Sequence, residues 1–145
     1  MKASQLHGTW NLKSIYSEFG SGLRDFHFGE DAIGRLIYTP DGFVNAFIMR
    51  RDRPAFSEGK IDAGTPDEIR SAFQSFDAYS GRYSLNLTEG VVIHHVDMSR
   101  SPAWTGLDLV RHFRLEDNTL SIYTDKFYSD SQGEDIVVFV EWERP

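Results

Sequence analysis

The sequence predicts an all-β fold of about eight antiparallel strands with one short amphipathic helix. Turn signals recur at short intervals along the chain, which is the spacing of sandwiches and barrels. The runs between them are apolar or alternating and rich in aromatic residues, which make up 14% of the sequence. That excess suits strands, or a cavity walled by rings. Only one segment shows a helical period.

In chain order, the first strand covers residues 8–17 and ends ahead of Gly20-Ser21-Gly22. Strands 34–39 and 42–50 meet at Pro40-Asp41-Gly42, short enough for a hairpin. Arg51 to Gly64 mixes Pro, Gly and charge and reads as a loop. Thr65-Pro66-Asp67-Glu68 then offers an N-cap, a Pro at N1 and a Glu at N3, a capping box. Ile69, Ala72, Phe73 and Phe76 follow at helical spacing and predict a helix over 66–77. That stripe must lie on the sheet or across an open end. Strands 80–88 and 91–98 join at Glu89-Gly90, and strands 107–115 and 119–127 join at Glu116-Asp117-Asn118. The last strand, 136–143, follows the turn from Ser129 to Gly133. Short connections make sequential neighbours pair antiparallel. Eight such strands in a meander can close into an up-and-down barrel, which removes exposed edges and leaves room inside for one small ligand. A two-sheet sandwich is the alternative.

A chain of 145 residues is most simply one domain, 1–145. Its net charge of −7 repels a phosphate backbone and argues against nucleic acid. The absence of cysteine excludes disulfides, thiolate nucleophiles and Cys-ligated zinc. Met1-Lys2-Ala3-Ser4-Gln5-Leu6 lacks the apolar region of a signal peptide, and no apolar run approaches the ~20 residues of a membrane span. The expectation is a soluble cytoplasmic protein with no membrane partner, a monomer or weak homodimer.

The segment from Val91 to Phe113 carries the strongest functional signal. Strand side chains alternate between faces. His94 then shares a face with Val92, Val96 and Met98, and Arg111 with Leu107, Leu109, Phe113 and Leu115. An imidazole and a guanidinium thus fall on apolar faces, where unpartnered polar groups cost about 2–7 kcal/mol. They need partners in the fold or a ligand. His94 could act as an acid or base near neutral pH, or be satisfied within the core. Arg111 could hold a ligand carboxylate or enolate oxygen, or sit in an internal salt bridge. His94 and His95 are adjacent, so they face opposite ways and cannot chelate together. The remaining histidines are not at ligand spacing, so neither a metal nor a fixed cofactor is expected. Tyr38, Tyr79, Tyr83 and Tyr123 are aromatic handles on strands or their edges, and Tyr83 reads as inward with Gly81, Leu85 and Leu87. Trp104, between Pro102 and Gly106, is a lid or a local plug.

Several segments together resemble a known family. They are Leu6-His7-Gly8-Thr9-Trp10-Asn11-Leu12, with its Gly-x-Trp; Gly34 to Gly42; Met49 to Pro54; Tyr79 to Tyr83; His94-His95; Pro102-Ala103-Trp104-Thr105-Gly106; Val110-Arg111; and Trp142-Glu143-Arg144. Over nearly the whole chain they are similar to the bacterial and fungal lipocalin-like domains. The resemblance implies an eight-stranded barrel around a central cavity, with Trp10 plugging one end under Arg144. Arg50-Arg51-Asp52-Arg53-Pro54 reads as a solvated rim with local Asp–Arg pairing, to which the resemblance adds the alternative that Arg50 and Arg53 line the cavity mouth and attract an anionic ligand. The resemblance implies no reaction, since related barrels include binders of hydrophobic molecules as well as cyclases and isomerases.

The leading expectation is a barrel that binds a small, largely apolar molecule with a polar or anionic end. The expected contacts are Tyr38, Phe47, Arg50, Tyr83, His94, Trp104, Arg111, Phe113 and Trp142. The rival is a cofactor-free cyclase, isomerase or dehydratase in which His94 is the acid or base, with Arg111 or Tyr83 stabilising a developing oxyanion. A third expectation is an interaction module whose cavity is filled by its own rings.

Overall fold

A computed structural model describes residues 1–145. In chain order the strands are β1 (Gly8–Phe19), β2 (Arg24–Asp25), β3 (Ile33–Tyr38), β4 (Phe43–Met49), β5 (Phe76–Asn86), β6 (Val91–Ser99), β7 (Asp108–Glu116), β8 (Thr119–Tyr123), β9 (Phe127–Ser129) and β10 (Glu134–Glu143). One helix, α1 (Pro66–Gln74), lies between β4 and β5. Strands β1, β3, β4, β5, β6, β7, β8 and β10 pair antiparallel in that order, and β10 returns to β1. The result is a closed eight-stranded antiparallel barrel. The short β2 and β9 extend β1 and β10 at one end.

The two ends differ. At the end holding Gly8, Tyr38 and Phe43, the interior is plugged. Trp10 is 1% exposed, and its indole N–H donates to the Leu6 carbonyl at 2.9 Å. The Arg144 guanidinium lies 3.6 Å from the Trp10 ring centroid and donates to the carbonyls of Gln5 and Thr9 at 2.7 and 3.3 Å. Cation–π attraction and covered apolar area both favour that stack. Tyr38, Val44, Val92, Phe113, Leu120 and Trp142 fill the same half of the barrel. The long connections at 20–32, 50–75, 100–107 and 124–133 gather at the other end.

Three local features depart from the alternation read in the sequence. The helix ends at Gln74 rather than at 77, and Phe76 begins β5 opposite Met49. The N-terminal capping box forms as expected, with Thr65 Oγ1 accepting from Glu68 N–H and the Glu68 carboxylate accepting from Thr65 N–H. At the other terminus Arg53 donates to Ser75 Oγ at 2.9 Å and to the Ala72 carbonyl at 3.2 Å, and the Arg50 backbone N–H donates to the Ser75 carbonyl. These contacts turn the chain out of the helix one residue before the sheet begins. No helix residue is buried, so Ile69 and Phe73 do not cover the sheet. The Arg100 guanidinium lies over the Phe73 ring instead, 4.3 Å from its centroid.

The second feature is a bulge. Ser80 pairs with Met98, but Gly81 pairs with Val96. Asp97 is the extra residue, and Met98 turns outward to 62% exposure instead of sharing the face of His94. The third feature is an interruption: strand 119–127 stops at Tyr123, and β9 is a separate ribbon.

Gly81 is required at the bulge. A Cβ there would overlap the carbonyl oxygen of His95, whereas one at Gly20 would meet nothing within 4 Å. Gly81→Ala is expected to cost about 1–3 kcal/mol, read as a lower denaturation midpoint, while Gly20→Ala leaves the midpoint in place. Equal midpoints for the two variants would contradict this account of the bulge.

Candidate functional site

The inner faces of β5, β6 and β7 bring three polar side chains together. Inward parity on β5 runs through Tyr79, Gly81 and Tyr83, on β6 through Val92, His94 and Val96, and on β7 through Leu109, Arg111 and Phe113. Register places His94 opposite Tyr83 and Leu109, and Arg111 opposite Val92. A cavity of about 360 Å³ lies toward the open end of the barrel. Its walls are apolar, from Ile15, Leu36, Ala46, Ile48, Ile122, Val138, Val140 and Trp142. Tyr79, His94 and Arg111 supply its polar side, and Trp104, Asp77, Thr124, Asp125 and Phe127 stand at its mouth.

His94 is 1% exposed and held at both ring nitrogens. Tyr38 Oη lies 2.7 Å from Nε2, and Tyr79 Oη lies 2.7 Å from Nδ1. Burial, reinforced by the positive charge of Arg111 and by His95, lowers the His94 pKa to about 3. The imidazole is therefore neutral at physiological pH. Burial also raises the hydroxyls of Tyr38 and Tyr79 above the ordinary phenol range, although Arg111 opposes the rise at Tyr79. Both tyrosines stay protonated.

Arg111 keeps its charge. Burial lowers its pKa, while Tyr79 and Asp125 favour the cation. Its side chain donates to the Val110 carbonyl at 2.9 Å. The two carboxylates at the mouth are engaged elsewhere: Asp125 with His112 at 2.6 Å, and Asp77 with Arg100 at 3.4 Å. The guanidinium thus meets the cavity without a carboxylate partner.

Of the nine residues expected around a ligand, His94, Trp104, Arg111 and Trp142 line this cavity. Tyr38 sits behind His94, sealed at 1% exposure. Tyr83 packs edge-on against Tyr38 and donates to the Thr39 carbonyl at 3.0 Å, on the plugged side. Phe113 is a buried core residue two positions deeper than Arg111. Phe47 faces outward at 41% exposure, because its inward neighbours on β4 are Ala46 and Ile48. Arg50 lies outside the barrel, bonded to the His27 carbonyl and Asp52, and Arg53 is spent on the helix terminus. His95 points outward to Asp108 and Ser84. No group of three or more His, Asp or Glu side chains is arranged to hold a metal. No helix is long and apolar enough to cross a membrane.

Tyr79 is one of the aromatic handles named from the sequence but is not among the nine expected contacts. Starting the strand at residue 80 placed it on an edge. The alternation Tyr79, Gly81, Tyr83, Leu85 would have put it on the inner face with His94.

The neutral state of His94 couples folding to pH. Unfolding frees an imidazole with an ordinary pKa of about 6.5. The contribution is therefore fully present above that value and declines as pH falls toward about 3, by about 1.4 kcal/mol per pH unit. From pH 7 to pH 5 the native protein should lose about 2 kcal/mol more than His94→Gln, measured by denaturant unfolding. In the folded native protein, NMR should find the His94 imidazole still neutral at pH 5. A normal titration of that ring would refute the assignment.

The family match agrees with the architecture. The family model described as "Lipocalin-like domain" matches residues 7–145. A protein of Aspergillus oryzae named as a 4'-hydroxy-3'-methoxypropiophenone carrier is 31% identical over 88 residues, which are 56% of this chain and 78% of that protein. Among solved structures, an uncharacterized protein of Bacteroides eggerthii aligns over 96% of this chain and 99% of its own, with 12% identity and a TM-score of 0.47. A lipocalin-like barrel and a relative named as a carrier fit small-molecule binding. With the family model spanning all but the first six residues and a closed eight-stranded barrel beneath it, the chain belongs to the lipocalin-like domain family.

Proposed function

We propose that this barrel is a carrier for a small, largely apolar molecule, an aromatic ring with a carbonyl or anionic oxygen, held in the cavity above His94. One observation carries the reading. A charged Arg111 with no salt-bridged carboxylate and the Tyr79 hydroxyl face a largely apolar hollow of about 360 Å³. That volume lies at the lower end of the roughly 300–1,000 Å³ of ligand pockets, and suits one ring with short substituents. The Aspergillus oryzae relative is named as the carrier of such a compound, an aryl ketone with a phenol group.

The state of His94 weighs toward carriage rather than turnover. A general acid or base works best with a pKa near the operating pH and within reach of the substrate. His94 has a pKa of about 3 and both nitrogens taken by tyrosines. It lines the cavity, but with both nitrogens bonded to tyrosines it supports Tyr79 rather than exchanging a proton with the ligand.

The test uses 4'-hydroxy-3'-methoxypropiophenone as the probe. Trp104 and Trp142 line the cavity, so binding should quench tryptophan fluorescence. Arg111→Met removes a charged hydrogen bond worth about 1.5–3 kcal/mol and should weaken binding about 10- to 100-fold. Phe47→Ala, on the outer face, should leave affinity unchanged. The probe should be recovered chemically intact after incubation. Conversion of the probe would favour an enzyme, and unchanged affinity in Arg111→Met would remove the site.

A further inference from the structure

Tyr38 and Tyr79 hold the same imidazole from opposite sides, but in unequal surroundings. Tyr38 is sealed, and its one hydrogen-bond partner is His94. Tyr79 lines the cavity. A neutral imidazole has one N–H and one bare nitrogen, so one tyrosine donates to the ring and the other accepts from it. If Nε2 carried the proton, Tyr38 would accept it, and the Tyr38 O–H would be buried with no acceptor. An unmade bond of that kind is the costly outcome. If Nδ1 carries the proton, Tyr38 donates to Nε2, Nδ1–H donates to the Tyr79 oxygen, and the Tyr79 O–H is left pointing where a ligand or water can accept it. Every buried donor then has a partner.

We propose that the Tyr38–His94–Tyr79 chain runs in one direction, toward the cavity, so that Tyr79 and Arg111 together form a donor-only end that selects a ligand by an acceptor oxygen. Such an end favours a carbonyl, and an ionised phenolate or enolate still more, over a hydroxyl that must give up its own proton. The ligand half of this inference rests on the carrier reading; the direction of the chain does not. Tyr79 is the specificity-determining contact, and His94 and Tyr38 are positioning residues that fix the orientation of its proton. Charge favours the same class of ligand. The cationic Arg111 sits close enough to Tyr79 to favour negative charge there, and so favours an oxyanion beside both.

Two measurements test the inference separately. On ligand-free protein, nitrogen-15 NMR of the His94 ring should show the Nδ1–H tautomer, and an Nε2–H ring overturns the chain whatever the cavity binds. A nitrophenol that titrates near neutral pH then reports on the donor end through its visible phenolate band. Bound to the native protein, its pKa should fall by about one unit, a tenfold preference for the phenolate. In Tyr79→Phe and in Arg111→Met the fall should shrink, with neither variant alone abolishing it. A bound pKa that rises would mean that burial outweighs donation, which overturns the donor-only end. No binding of nitrophenol or of the aryl ketone would reject the ligand half and the carrier reading together, leaving the tautomer result to decide the chain.

Discussion

The register between β1 and β10, from Asn11 opposite Glu143 to Phe19 opposite Ile136, gives every barrel strand two hydrogen-bonded neighbours. Closure satisfies backbone groups that an open sheet would leave on its edges. It also fixes which side chains point inward, since one residue of slip on any strand would exchange its two faces. The interior is therefore a set of alternating positions contributed by eight strands. Its shape depends on how large those residues are at each level. Toward the Trp10 end they are large and fill the barrel. Toward the open end Ala46, Ile48, Val138 and Val140 leave a hollow.

Polar residues at inward positions are constrained by the same closure, because buried polar groups need partners. His94 has partners from its own chain on both sides. Tyr83, which also faces inward, satisfies its hydroxyl on the Thr39 carbonyl. Arg111 is handled differently. The acids that could neutralise it stand at the mouth and are committed to His112 and Arg100. A barrel needing only stability could place an apolar residue there, since even a well-paired buried charge is often no better than one. An Arg without an internal carboxylate is what a ligand-facing cation requires.

Much of this was legible in the sequence, and the part that was not has definite causes. Turn residues and alternation gave the order of the strands but left a sandwich open, the family resemblance implied the closed barrel, and the polar pair His94 and Arg111 stood out because apolar neighbours flanked both. Phe47 was misplaced because aromatic character says nothing about strand parity, and Ala46 and Ile48 hold the inward positions of β4. Met98 was misplaced because a bulge adds a residue without any mark in the pattern, except that Gly81 stands opposite it. Tyr79 was passed over for a longer-range reason. The helix stripe through Phe76 is convincing locally, but pairing of Phe76 with Met49 overrides it, and the strand consequently reaches back far enough to turn Tyr79 inward.

In the proposed carrier, the partnership between Tyr79 and His94 gives a buried imidazole a positioning role. A tyrosine alone on an apolar wall is free to rotate its hydroxyl proton, and a ligand must fix that proton at an entropic cost. Hydrogen-bonded chains polarise their members, and a donor already oriented lowers the cost of binding. The stability lost on burying His94 neutral is recovered in two short bonds of 2.7 Å each. The bond from Tyr38 fails if the ring is protonated, since a cationic imidazole has no acceptor to offer its hydroxyl, whereas Nδ1–H can still donate to Tyr79. Folding of this barrel therefore depends on the uncharged state of that ring, and acid should weaken it through one group.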